Sequence, residues 1–172
     1  MLLSAAVNKA LNEQVGREFA SELQYVAIAA YFDCDSLPEL AAHYYRQAEE
    51  ERAHAMKIIK YIVDALGTVE IPAIPAPRAT FESADEAVKL ALDSEIEITR
   101  HVNELVGLAR KEQDNLTETF LQWFVTEQLE EVSTADTLLN IVRRAGPQGL
   151  LFVEDYLARR GPVQESGGET GG

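Results

Sequence analysis

Glu18, Glu51, His54, Glu95, Glu127 and Glu131 stand where a helical period calls for apolar side chains. Glu18 falls seven residues after Leu11, three after Val15 and seven before Tyr25, inside the apolar stripe of a helix. Glu51 and His54 share one helix face between Tyr44 and Ile58, because a spacing of three brings side chains together. Glu95 lies between Leu92 and Val102, and Glu127 and Glu131 lie among Phe120, Phe124 and Leu138. An ionised carboxylate taken alone into a core costs several kcal/mol, against a total stability of ~5–15 kcal/mol. Something cationic must therefore meet these groups. Carboxylate oxygens with one imidazole suit iron or manganese, whereas a closed zinc site prefers His and Cys. Glu18, Glu51, Glu95 and Glu131 carry four negative charges, which two divalent ions would balance.

Taken singly, each signal is weak. A Glu on a helix is ordinarily solvated, and Glu-x-x-His arises by chance in acidic helices. Height along the helices separates this set from chance. Glu18 and Glu51 lie about fifteen residues into their helices, Glu95 about twelve and Glu131 about sixteen, so in an antiparallel, crossover-linked bundle they meet in one layer. Tyr25 and Trp123 read as packing residues, His43 and His101 as surface residues, and Cys34 as a helix-end residue. Glu13 and Asp93 read as solvated helix face.

The elements that must position the layer are marked by sparse punctuation. A first helix runs from Ser4 to Asp33, with Val7, Leu11, Val15, Phe19, Tyr25, Val26 and Phe32 recurring at three, four and seven. Ser36-Leu37-Pro38-Glu39 has the form of a capping box and opens a second helix, which ends at Gly67, the residue that can take a left-handed end conformation without a steric penalty. Thr68 to Glu82 holds three prolines and no helical period, and reads as a loop. Ser83-Ala84-Asp85-Glu86 is a second capping box and opens a third helix that ends near Glu112. Asn115, with Glu118 three residues on, opens a fourth helix, which Gly146-Pro147 stops after Ala145. Gly149 to Arg160 is a short fifth helix, and residues 161–172 read as a flexible C-terminal tail behind a single domain of residues 1–160. Helices of ~28 residues are about 42 Å long, and the ~15-residue loop reaches about 50 Å when extended. It can run the length of the bundle. The expected fold is all-α, a four-helix bundle with a long crossover between helices two and three, which makes those two helices parallel.

Composition narrows the partners. The net charge is −14, from 15 Lys and Arg against 29 Asp and Glu, which disfavours nucleic acid and anionic membrane and favours cations. A lone Cys34 makes neither an internal disulfide nor a cysteine-pair metal site. No apolar run approaches the ~18 residues of a membrane span, and the N-terminus turns polar too soon for a signal peptide, so a cytoplasmic location is expected.

The segments REFASELQY, EEERAH, ALDSEIEITRHVNEL and FLQWFVTEQLEE resemble the ferritins, most closely the haem-free bacterial ferritins, over about residues 4–160. The resemblance implies a ferritin-like bundle. It also implies that Glu18, Glu51 and His54 hold a first iron, with Gln128 beside it, and that Glu51 bridges to a second iron held by Glu95 and Glu131. Glu50, Glu127 and Glu130 resemble, with Glu131, the third iron site of bacterial ferritins, and Tyr25 matches the family tyrosine near the dinuclear centre. Glu127-Gln128-Leu129-Glu130-Glu131 stands where a symmetric centre carries a second Glu-x-x-His, which points to a site through which iron passes. Arg52 occupies the place of the haem-ligating methionine of bacterioferritins, so no haem is expected. Glu118 matches a pore-lining acid of animal ferritins, while Leu121 replaces its companion acid.

The expected function is iron storage by a ferroxidase: Fe(II) bound at a dinuclear centre, oxidised by dioxygen or hydrogen peroxide, and deposited as ferric mineral in a homo-oligomeric shell of about 24 subunits. Two other readings stay open at this point. A di-iron oxidase acting on another substrate needs an apolar pocket beside the metals, and a non-catalytic helical bundle leaves the buried carboxylates without a reason.

Overall fold

The computed structural model describes residues 2–161, and the tail expected beyond Gly161 lies outside the described residues. Five helices follow one another: α1 (Ala5–Cys34), α2 (Pro38–Asp64), α3 (Ala84–Lys111), α4 (Asn115–Ala145) and α5 (Leu150–Arg160). No strand occurs among the described residues. α1 packs chiefly on α2, α3 on α4, and the two pairs join through α1 and α3, while α5 rests on α2 and α4.

The crossover follows α1 along its length. Asn8 and Asn12 donate to the carbonyl of Thr68, Asn12 accepts from the Glu70 amide, and Gln24 both donates to and accepts from the backbone of Arg78. Between these clamps, Gly16 lets the chain close in: a Cβ there would lie 2.4 Å from Pro72 Cγ, and a proline ring cannot swing aside. The loop thus climbs from the N-terminal to the C-terminal half of α1, which sets α3 parallel to α2, as the loop length implies.

The helix ends follow chemistry that the sequence only partly displays. α1, α2 and α3 each end with a non-glycine residue in the left-handed region, Ser36 (φ 59°), Leu66 (φ 57°) and Gln113 (φ 57°). In each, the next amide bonds five residues back: Leu37 to Phe32, Gly67 to Ile62 and Asp114 to Ala109. These are Schellman closures, which satisfy the last free carbonyls. Two expectations are thereby corrected. The left-handed residue is Leu66, with Gly67 one place beyond it. Ser36 is committed to closing α1, so its capping box does not form, and Leu37 precedes α2 with no side-chain cap. At α4 the cap is Asp114, whose carboxylate accepts from Thr117 N, and Asn115 is the first helical residue. Ser83 does cap α3, accepting from Glu86 N, but Glu86 reaches back to the Glu82 amide one residue earlier than a strict capping box.

The open start of α2 is capped from afar. Glu154 of α5 accepts from the amides of Glu39 (2.8 Å) and Leu40 (2.9 Å) with its two carboxylate oxygens. A carboxylate at a helix N-terminus meets both unpaired amides and the positive end of the helix dipole. The same bond holds α5 on the bundle.

The core divides into two apolar halves. One joins Tyr25, Ile28, Phe32, Leu40, Tyr44, Val88 and Leu138 with Val153 of α5. The other joins Leu11, Val15, Ile58, Ile62, Val102, Leu121 and Phe124. Leu121, which replaces the companion acid of Glu118, is buried in this second half, and Glu118 pairs with Arg110 at 2.7 Å. Val26, expected in the apolar stripe, is 41% exposed. Between the two halves lies a polar layer.

Replacing Glu154 by Ala should remove both tertiary bonds and cost about 1–2 kcal/mol, the range of a lost N-cap. Thermal unfolding should show a lower Tm. Hydrogen exchange should accelerate at the Glu39 and Leu40 amides and along α5, with Glu154→Gln falling between the two.

Candidate metal centre

The polar layer takes one turn from each long helix. On α1, Glu18 follows Val15 by three. On α2, Glu51 and His54 lie between Ala48 and Ile58. On α3, Glu95 lies between Ala91 and Ile98, and on α4, Gln128 and Glu131 lie between Phe124 and Leu138. All six are buried, with at most 4% of their surface exposed.

Glu18, Glu51 and His54 bring one ligand atom each to within 4.8 Å of one another, and so do His54, Glu127 and Glu131. His54 Nδ1 lies 3.6 Å from Glu51 Oε1 and 3.9 Å from Glu18 Oε2, too far for hydrogen bonds. Glu18 Oε2, both oxygens of Glu51 and His54 Nδ1 are buried without a hydrogen-bond partner. Each such atom costs about 1–3 kcal/mol, so the four together rival the ~5–15 kcal/mol stability of a domain. Three carboxyl oxygens and one imidazole nitrogen converging here form a donor set for a cation.

The rest of the layer is tied down by hydrogen bonds. Gln14 donates to Glu18 Oε1 at 2.7 Å. Tyr25 Oη donates to Glu95 Oε1, and Gln128 Nε2 donates to Glu95 Oε2 at 3.1 Å and reaches Thr99 Oγ1 at 3.2 Å. Trp123 stands edge-on to His54 (centroids 5.4 Å apart, 77°), with Lys57 Nζ 3.7 Å from its own ring centroid.

The electrostatics follow from burial. Desolvation pushes Glu18 up to about 7. It raises Glu51 well above the usual carboxylate range, aided by the neighbouring charges of Glu18, Glu95 and Glu131. Glu131 rises to about 9, by burial first and then by Glu95, Glu50 and Glu127, and Glu95 is also raised by burial. Burial drives His54 down to about 4, which leaves a neutral imidazole with a free lone pair. Tyr25 is held well above its ordinary value by burial and by Glu95, and stays a donor.

The layer brings together Glu18, Glu51, His54, Glu95, Gln128, Glu131 and Tyr25. Glu127 and Glu50 are half-buried at its edge, where Glu50 accepts from Gln47 at 2.7 Å and interacts with Glu131. Glu130 is exposed and belongs to neither triad. The geometry extends His54 beyond the first-iron role that the resemblance implies, since it is also within reach of Glu127 and Glu131. Gln14 and Thr99 escaped the sequence reading. Gln14 lies one turn before Glu18 between Leu11 and Val15, a polar residue in an apolar stripe, and that was its available signal. His43 and His101, expected on the surface, are both half-buried. His43 packs on the Tyr44 ring, and the His101 side chain, 17% exposed, sits between Glu97 and Glu104.

Residues 8–145 match the ferritin family, described as a ferritin-like domain. Over 149 residues the chain is 46% identical to ferritin BfrB of Mycobacterium tuberculosis, covering 87% of this chain and 82% of that one. Over 161 residues it is 40% identical to the bacterial non-heme ferritin of Staphylococcus haemolyticus, covering 92% and 97%. Its backbone superposes on the open pore ferritin of the archaeon Archaeoglobus fulgidus with a TM-score of 0.89 at 32% identity, covering 92% and 98%.

Glu51→Gln should reveal the strain in the layer. A carboxyl whose pKa is raised on folding holds protons that the unfolded chain has lost, so metal-free stability falls as pH rises above the ordinary carboxylate value. The Gln variant, neutral throughout, should therefore show a higher metal-free Tm than wild type at pH 8, with the gap closing toward pH 5. Zn²⁺, a redox-inert probe, should raise the wild-type Tm at pH 8 and raise that of the variant much less.

Proposed function

The chain belongs to the ferritin family, and from that premise we propose that this iron-storage protein oxidises Fe(II) at the mid-bundle layer and passes the ferric product to a mineral. The carrying observation is the set of four buried, partnerless donor atoms on Glu18, Glu51 and His54. Iron is substrate here. Glu18, Glu51 and His54 take the first Fe(II), Glu51 bridges, and Glu95 and Glu131 take the second, with Gln128 alongside. Two Fe(II) each give one electron to dioxygen, and with two protons the products are two Fe(III) and one hydrogen peroxide. The carboxyls that burial holds protonated release protons when metal binds. Tyr25, hydrogen-bonded to Glu95, keeps that carboxylate oriented toward the pair. Glu127 and Glu50 continue the acidic path from Glu131, and Glu130 serves as its exposed outer end. Ferric iron, with higher charge and a preference for oxygen, moves that way.

Three further features belong to this reading. Arg52, in the position of a haem-ligating methionine, is exposed and lies 3.6 Å from Glu22, which supports a haem-free subunit. Leu151 and Phe152 of α5 are 76% and 78% exposed, a surface suited to a subunit contact in a closed shell of about 24 copies. No described helix is long and apolar enough to cross a membrane, and Cys34 is free and exposed.

Stopped-flow oxidation of Fe(II) tests the centre. Glu51→Ala removes the ligand common to both irons and should slow the initial rate by at least about tenfold, the scale of a lost metal ligand or its support. An unchanged rate with two Fe(II) still bound per subunit would reject the assignment. Light scattering and electron microscopy test the shell: a hollow particle of more than twenty subunits is expected, and a monodisperse monomer or dimer at micromolar concentration would overturn it.

A further inference from the structure

A second cleft lies away from the carboxylate layer, where α5 leans on α2 and α4. Its volume is about 200 Å³, and Arg46, Arg160, His43, Ser133, Thr134 and Thr137 contribute to its walls. Among the described residues no carboxylate lines it. That is unusual in a chain of net charge −14. Elsewhere six arginines are matched, Arg52 with Glu22, Arg78 with Glu86, Arg100 with Glu97, Arg110 with Glu118, Arg143 with Asp85 and Arg159 with Asp155, while Arg17 and Arg144 stand outside the cleft without a salt bridge among the described residues. Among the described residues Arg46 and Arg160 form no salt bridge, and the hydrogen-bond partner of Arg160 is the Tyr156 hydroxyl. Two arginines lining one cleft with Ser133, Thr134, Thr137 and His43 make a concavity rich in hydrogen-bond donors.

We propose that this cleft binds inorganic phosphate. Guanidinium forks match a tetrahedral oxyanion in geometry and charge, and hydroxyls complete its shell. The volume is below the ~300–1,000 Å³ of sites that enclose drug-sized ligands, so a single oxyanion fits better than a nucleotide. His43 selects among oxyanions. Burial, with the nearby Arg46 charge, drives its imidazole down to about 4, so at neutral pH one ring nitrogen accepts a hydrogen bond. Phosphate at neutral pH still carries a proton to donate, and sulfate carries none. The site is independent of the iron reading, because neither arginine belongs to the carboxylate layer.

Isothermal titration of the iron-free, full-length protein at pH 7 and low salt tests the site. Wild type should bind phosphate saturably, one per subunit, and at least tenfold more tightly than sulfate. Arg46→Gln should weaken phosphate at least tenfold, which is about 1.4 kcal/mol, and Arg160→Gln, at the exposed end of α5, should weaken it in the same direction. Arg144→Gln removes an equal charge from α4 outside the cleft and should leave binding unchanged. Light scattering would verify that each variant assembles as wild type does, and if Arg46→Gln does not, Arg160→Gln carries the test. The proposal falls if no saturable phosphate binding appears below about 10 mM, a bound on which even weak recognition would register. It falls equally if Arg144→Gln weakens binding as much as the cleft variants do, or if sulfate binds as tightly as phosphate.

Discussion

Carboxylates held out of water at mid-bundle are the constraint on which the rest of this structure depends. Water is excluded above and below by two apolar clusters, so Glu18, Glu51, Glu95 and Glu131 have no solvent to share their charge. Raised carboxyl pKa values and a neutral His54 are the direct result. The same low dielectric that makes the empty layer costly makes its attraction for a cation strong. Stability and function draw on the same atoms: those left without hydrogen bonds on Glu18, Glu51 and His54 are the ones the proposed chemistry uses, while Gln14, Tyr25 and Gln128 hold the remaining oxygens in place.

Such a layer exists only if four helices reach the same height, and the devices that fix their register lie outside it. The crossover is clamped to α1 at Asn8, Asn12 and Gln24 and passes Gly16 at a distance no other residue allows. Three Schellman closures stop α1, α2 and α3 at defined residues. Because Ser36 is used to end α1, the start of α2 lacks a local cap, and Glu154, more than a hundred residues later, supplies one. A small fifth helix is thereby tied to the framework that positions Glu51 and His54.

Charge in this molecule is local rather than uniform. The net value of −14 describes the average surface, on which most arginines are neutralised by a neighbouring acid. At mid-bundle the acids face each other, and the cleft under α5 is lined by two arginines and by no described carboxylate. Each is a deviation from pairing, and each directs the molecule toward a ligand of opposite sign.

The sequence by itself determined the helices, their approximate ends, the parallel arrangement of α2 and α3, and the residues of the carboxylate layer. It could do so because those facts rest on period, on proline and glycine punctuation, and on polar residues interrupting an apolar stripe at matched heights. Only the tertiary structure decided which atoms of the layer are partnerless, that His54 faces Glu127 and Glu131 as well as Glu18 and Glu51, and that Glu130 stays exposed. It alone placed Leu66 rather than Gly67 in the left-handed position and gave the cap of α2 to Glu154. It also covered His43 and His101 and gathered Arg46 and Arg160 into one cleft. The physical reason is common to all of these. A helical period tells which way a side chain leaves its own helix, but the partners it meets come from other helices, and those are set by packing between residues far apart in the chain.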